Sequence, residues 1–314
     1  MKSRGLVKNV SWVANVNFLL QSAPVWRERS VVTSRFVLIT GASTGIGAAC
    51  AIGCAERGMT VFAGVRNLAS CDALQAKAGK AIIPVQLDVT DGESITKAAD
   101  LVARHVGEAG LSGLVNNAGI AIGSPLELIP LQQLRRQFEV NVVGQIAVTQ
   151  AVLPLLRRSH GRIVNMGSIA GRGTIPMMGP YSASKHALEA LTDALRLELY
   201  PWGIEVSIIE PGAVATPIWD KSMQISLDVE SEMPADGRHL YKLAAERIRE
   251  AVGLSARRAI PTDAVVQAVL HALTARRPKT RYLVGRDAKL RAVMVRWLPD
   301  RMQDWILKKV LNLP

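Results

Sequence analysis

The chain has 314 residues, 49% of them apolar and 20% charged, with 25 Gly and 15 Pro. That composition supplies enough apolar surface for a core and excludes intrinsically disordered and collagen-like chains. The formal charge of +12 resides in the two ends: residues 1–34 carry five basic residues against Glu28, and residues 276–314 carry eleven against Asp287, Asp300 and Asp304. With 35–275 neutral, a nucleic-acid groove across the fold is not expected, whereas peripheral contact of the basic ends with an anionic surface is.

Residues 1–34 read as a basic N-terminal extension. The apolar run over 10–20 is broken by Asn15 and Asn17, no small-residue cleavage site follows, and no stretch reaches the roughly 20 apolar residues of a spanning helix. Cys50, Cys54 and Cys71 are odd in number and lack metal-ligand spacing. They read as small packed residues in a reducing, cytoplasmic setting, and no metal site is expected.

From Arg35 onward, β-branched runs over 36–40, 60–64, 82–87, 114–116, 162–166, 204–210 and 282–284 read as strands. Helix-period segments lie between them at 45–57, 91–107, 131–156, 182–199 and 262–274. This alternation implies right-handed crossovers and a parallel sheet covered on both faces, an α/β fold. The polar, Met-containing stretch over 217–240 interrupts the rhythm just after a strand's C-terminal end, where a substrate lid is expected.

The first strand runs into Thr40-Gly41-Ala42-Ser43-Thr44-Gly45-Ile46-Gly47 and then a helix. Glycines there let backbone approach a pyrophosphate, while the helix N-terminus supplies free N–H donors and a positive dipole end. The same residues also fit a Gly-x-Ser-x-Gly nucleophile elbow, with Ser43 as the nucleophile of a hydrolase. That reading expects the elbow after several strands and an acid and histidine downstream, and none of the five histidines carries independent support as a base.

Further residues extend the pattern in order: Asn116-Asn117-Ala118-Gly119 after the fourth strand, Asn141 in the next helix, Ser168 after the fifth strand, the Tyr181-x3-Lys185 pair, and Pro211-Gly212 with Thr216 after the sixth. The set resembles the short-chain dehydrogenase/reductase family over roughly 35–275, in the style of its 17β-hydroxysteroid and retinol dehydrogenase-like branch. That resemblance implies a single Rossmann-type, doubly wound domain over 35–275, with 276–314 left as a basic amphipathic C-terminal segment.

The resemblance also assigns roles. Tyr181 is the expected general acid or base, and Lys185, one helical turn on, binds the nicotinamide ribose. A cation beside a phenol draws its pKa down from about 10 towards the working range. Ser168 donates to the substrate oxygen, and Asn141 holds a water linking Lys185 to solvent. Gly41, Ser43, Thr44, Gly45, Ile46 and Gly47 cradle the dinucleotide; Asp88-Val89 contacts its adenine; Asn117, Ala118 and Gly119 line it; Pro211, Gly212, Val214 and Thr216 hold its carboxamide end.

At the end of the second strand, Val65-Arg66 stands where NAD enzymes place a carboxylate, and a guanidinium pairs with a 2′-phosphate. NADP(H) is therefore expected in preference to NAD(H). Met177, Met178, Ile218, Trp219 and Met223 suit an apolar substrate such as a steroid, retinoid or lipid alcohol. The alternative to an oxidoreductase is a catalytically silent NAD(P)-binding scaffold, and a homo-oligomer is implied by resemblance alone. Finally, Leu290, Val293, Met294, Trp297, Leu298, Met302, Trp305, Ile306 and Val310 form a helical stripe whose commoner destination is a core or partner subunit, with membrane docking the alternative.

Overall fold

The computed structural model describes residues 35–313; the N-terminal extension over 1–34 lies outside the described residues. The elements are β1 (Phe36–Thr40), α1 (Gly45–Glu56), β2 (Thr60–Val65), α2 (Asp72–Ala78), β3 (Ile82–Gln86), α3 (Gly92–Val106), β4 (Gly113–Asn116), α4 (Leu131–Phe138) and α5 (Gly144–Ser159). They continue as β5 (Arg162–Met166), α6 (Gly179–Glu198), β6 (Glu205–Pro211), α7 (Ile218–Ser231), α8 (Ala235–Arg257), α9 (Asp263–Thr274), β7 (Arg281–Val284), α10 (Arg286–Trp297) and α11 (Asp300–Val310).

All seven strands pair in parallel in the order β3-β2-β1-β4-β5-β6-β7: the parallel sheet that the alternation implies, with the doubly wound topology that the resemblance implies. The side-chain period of two sends Val37 and Ile39 to one face of β1 and Leu38 to the other, so each face builds its own core. On the first face Cys50, Cys54, Val265 and Val269 bring in α1 and α9. On the second, Ile95, Val102, Val148 and Val152 bring in α3 and α5. Each fully buried side chain such as Phe62 or Ile39 contributes about 1.5–3 kcal/mol, which fixes the strand register and the loops at its carboxyl edge.

The three cysteines are free and buried, and burial pushes the Cys50 and Cys54 thiols up, Cys54 to about 12. The helical stretch Leu131–Ser159 is apolar and long enough to cross a membrane by composition, yet Val148, Val152 and Leu156 lie in the core beneath the sheet. The sheet continues past residue 275, since β7 pairs with β6 from Ile208↔Arg281 to Pro211↔Val284. The expected lid is two helices, α7 and α8, running on to Arg257. Ile122 and Ile129 pack with Val229 and Met233 to give the lid a small core of its own.

Candidate active site

The strand order reverses between β1 and β4, which opens a crevice beyond their carboxyl ends. Gly41 turns the chain there with φ of 64°, and a Cβ on it would lie 2.8 Å from Ala118 Cα. A Cβ on Gly47 would stand 2.3 Å from the Gly41 carbonyl oxygen. The backbone N–H groups of Asn117 and Ala118 both donate to Thr40 Oγ1 at 2.9 Å, and Asn117 Nδ2 donates to the carbonyls of Thr40 (2.9 Å) and Gly41 (3.1 Å). Asn117 therefore holds the two strand ends at a fixed separation.

Ser43 and Thr44 complete the turn, and Gly45, Ile46 and Gly47 open α1. Thr44 makes no side-chain capping bond, and the first turn of α1 contains no acidic residue. The orphan N–H donors of that turn are free for an anion, so the cradle fits a dinucleotide pyrophosphate. As for the hydrolase reading, four of the five histidines are bonded away from Ser43: His105 to Leu101, His160 to Trp202, His186 to Ser182 and His271 to Tyr282.

Buried Val65 closes β2, and Arg66 projects into solvent beyond it. Asp88 Oδ1 accepts from Thr90 N (2.9 Å) and Thr90 Oγ1 (2.7 Å). Burial alone would raise the Asp88 carboxyl, but the two Thr90 bonds and the nearby Arg66 charge outweigh it and hold it below the usual range. A carboxylate has acceptor sites to spare, so the turn bond and a base contact are compatible there. Val89, next in line, is buried.

Tyr181, Lys185 and Glu189 follow at four-residue intervals on one face of α6, with Pro180 in the first turn. The Ser168 hydroxyl meets the Tyr181 phenol, and burial pushes that phenol up while the Ser168 bond opposes the rise. Ser168 Oγ also accepts from Ala170 N at 3.1 Å, so it caps a short helix as well. Lys185 Nζ donates to the Met166 carbonyl at 2.7 Å and stands 5.8 Å from the centre of the Tyr181 ring. The lysine is thus seated against β5, and the phenol keeps its proton in this state. The lowering of the phenol expected from the neighbouring ammonium is not what the site shows: burial dominates, and Ser168 rather than Lys185 opposes it.

Asn141 lies in a π-turn, Glu139–Val143, between α4 and α5. Its Oδ1 accepts from Ile120 N (2.9 Å), and its Nδ2 donates to Ile120 O (2.9 Å) and Ser184 Oγ (3.1 Å). Both amide donors are committed, so a water held by Asn141 has only Oδ1 or the backbone carbonyl to bond. A Cβ on Gly119 would lie 3.4 Å from Asn141 Oδ1 and 3.8 Å from Lys185 Nζ, which places all three around one point.

Two groups beyond those named from the sequence support the site. Glu189 is pushed up to about 7 by burial and by Glu210, against the pull of Arg281 and Arg172, and it in turn partly offsets the burial that brings Lys185 down to about 8. Its spacing from Lys185 was a visible signal. Asp287 Oδ2 accepts from Ala213 N at 2.7 Å, bracing the turn that runs from Pro211-Gly212 to Val214 and Thr216. Nothing in the sequence relates those segments, since α10 reaches the turn only by way of β7.

Beside the site lies an apolar-walled cavity of about 80 Å³ between Met177, Met178, Trp219, Met223, Met233 and Ile248. Met177 has φ of 64°, a left-handed conformation uncommon outside glycine, and its carbonyl accepts from Ser124 N at 2.8 Å. Pockets for drug-sized ligands run to about 300–1,000 Å³. The unbranched side chains of Met177, Met178 and Met223 can change rotamer to widen this cavity for a larger substrate.

The short chain dehydrogenase family model matches residues 35–225. The NADPH-dependent 3-dehydrocapnine reductase of Ornithobacterium rhinotracheale is 36% identical over 88% of this chain and 98% of its own. Retinol dehydrogenase 5 of Homo sapiens is 37% identical over 92% of each chain. A short chain dehydrogenase from Burkholderia cenocepacia J2315, solved in complex with NADP, superposes with a TM-score of 0.67 at 27% identity, covering 90% of this chain and 99% of its own. A doubly wound sheet with this turn and this Ser, Tyr and Lys cluster defines a nicotinamide-dependent oxidoreductase. The chain belongs to the short-chain dehydrogenase family, and its relatives bear out the resemblance to the hydroxysteroid and retinol dehydrogenase-like branch.

Proposed function

We propose that the protein transfers hydride between NADP(H) and an apolar secondary alcohol or ketone of steroid, retinoid or lipid character. The observation that carries this reading is the meeting of Ser168, Tyr181 and Lys185 beside a methionine-walled cavity. When bound, the nicotinamide supplies or accepts the hydride. Tyr181 Oη gives its proton to the carbonyl oxygen in the reducing direction and takes it back in the oxidising one. Burial keeps the phenol protonated until the substrate oxygen claims the proton. Ser168 Oγ donates to the same oxygen as charge develops on it. Lys185, fixed by the Met166 carbonyl, presents its remaining N–H donors to the ribose.

Arg66 supplies the 2′-phosphate contact, and buried Val65 offers no carboxylate to repel it. The NADPH-dependent relative supports that preference. A panel of apolar ketones and alcohols, assayed with both cofactors, tests the reading. NADPH oxidation by an apolar ketone is the expected result, and turnover only with small polar substrates, or only with NAD(H), contradicts it.

A peripheral membrane location fits the same chemistry. Of the nine stripe residues, Leu290, Val293, Trp297, Met302, Trp305 and Val310 are exposed, so most of the stripe is not used by the core. Arg286, Lys289, Arg296, Arg301, Lys308 and Lys309 are exposed on the same two helices. Apolar side chains with flanking cations suit an anionic lipid surface, from which an apolar substrate reaches the site without crossing water.

A further inference from the structure

The lid helix α7 carries a cation to the phosphate end of the cradle. Lys221 Nζ donates to Thr44 Oγ1 at 3.3 Å, although 177 residues separate them. Thr44 is the residue from which α1 starts, where the orphan N–H donors lie. No ion pair among the described residues uses Lys221. Its charge is therefore available to an anion in the cradle.

The base of α7 is fixed close to the turn. Trp219 Nε1 donates to the Val214 carbonyl at 2.7 Å, and a Cβ on Gly45 would lie 3.2 Å from Thr216 Cβ and 3.7 Å from Pro217 Cδ. One residue past Lys221, Ser222 Oγ donates to Ala121 O at 2.8 Å; one turn later, Ser226 Oγ accepts from Gly123 N at 3.0 Å. Met223, between them, lines the substrate cavity with Trp219 and Leu227. A single stretch of helix thus reaches the start of α1 through Lys221 and lines the cavity through its neighbours.

We propose that Lys221 is a latch by which the dinucleotide's pyrophosphate holds α7 closed over the substrate cavity, so that nucleotide binding completes the apolar pocket. This rests on the reading that the cradle binds a nicotinamide dinucleotide. The pyrophosphate is common to NADPH and NADH, so the latch acts equally with both, unlike Arg66. Attraction between an ammonium and two negative charges at a partly exposed site is modest, roughly a 3- to 10-fold effect on affinity.

The test combines dissociation constants for NADPH and NADH with hydrogen–deuterium exchange of residues 218–231, for the wild type, Lys221→Met and Lys221→Arg. In the wild type, saturating NADPH should slow exchange across 218–231. Lys221→Met should weaken both dinucleotides by the same factor and, at saturation, leave 218–231 exchanging as in the free protein, with Lys221→Arg restoring both properties. Full protection in Lys221→Met, or a loss confined to NADPH, overturns the latch. Failure of the wild type to bind either dinucleotide overturns the functional reading beneath it.

Discussion

Lys185 donates to the carbonyl of Met166, the last residue of β5, at 2.7 Å. The strand that delivers Ser168 two residues later therefore also seats the lysine. Burial brings the Lys185 ammonium down to about 8, and Glu189 works against that fall. The ammonium loses its proton as pH rises through about 8, so reductive turnover should decline on that alkaline limb. Glu189→Gln removes the opposing anion, which lowers the Lys185 pKa further and moves the limb to lower pH. Arg281, Arg172 and Glu210 surround Glu189, so the conservative amide keeps its shape among them. A pH profile of kcat for both proteins checks this, and an unchanged or upward-shifted limb contradicts it.

Arg66→Ala should weaken NADPH by about 10-fold and leave NADH within twofold, because one charge-assisted phosphate bond at an exposed site is lost. Titration of both dinucleotides reads the difference directly. Equal loss for the two cofactors removes Arg66 from the 2′-phosphate.

Asp287→Ala leaves the Ala213 N–H without its acceptor at the turn after β6. The bond is exposed, so the expected cost is about 1 kcal/mol, or a fall in Tm of about 2–4 °C. A loosened turn at Gly212 and Val214 should also raise the KM for the dinucleotide. Thermal melts and steady-state kinetics test the two effects together.

Trp297 and Trp305 are 73% and 63% exposed on α10 and α11. If they enter a bilayer interface, the protein should sediment with anionic vesicles at low salt, less with neutral ones, and replacing both by Gln should reduce binding about tenfold or more. Both side chains stand outside the core, so folding should be unaffected. Equal sedimentation of the wild type and the double variant argues against docking through this face.

The strands along the chain were legible because they obey local rules, whereas the roles of the site residues came from the family resemblance. Alternating β-branched runs located β1 and β5 to the residue, and Tyr181 and Lys185 share a helix face by spacing alone. Three features depended on tertiary structure. The lid looked like an irregular segment because its apolar face, with Ile225, Val229 and Met233, packs only on the small cluster around Ile122. The short α2 has too few turns to show a period. Arg172, Glu210 and Arg281 become an ion network only when β6, β7 and the loop after β5 lie side by side. The stripe on α10 and α11 was visible, but its exposure was not, because the spacing of apolar residues is the same for a buried face and a bare one.

As the proton donor of the proposed reaction, Tyr181 is tested most directly by the turnover of Tyr181→Phe alongside its affinity for NADPH. The substitution removes one hydroxyl and little contact area. The expected result is a fall in kcat of about 10²- to 10⁴-fold with an apolar ketone, with NADPH affinity within twofold of the wild type. Near wild-type turnover in a variant that still binds NADPH would contradict it.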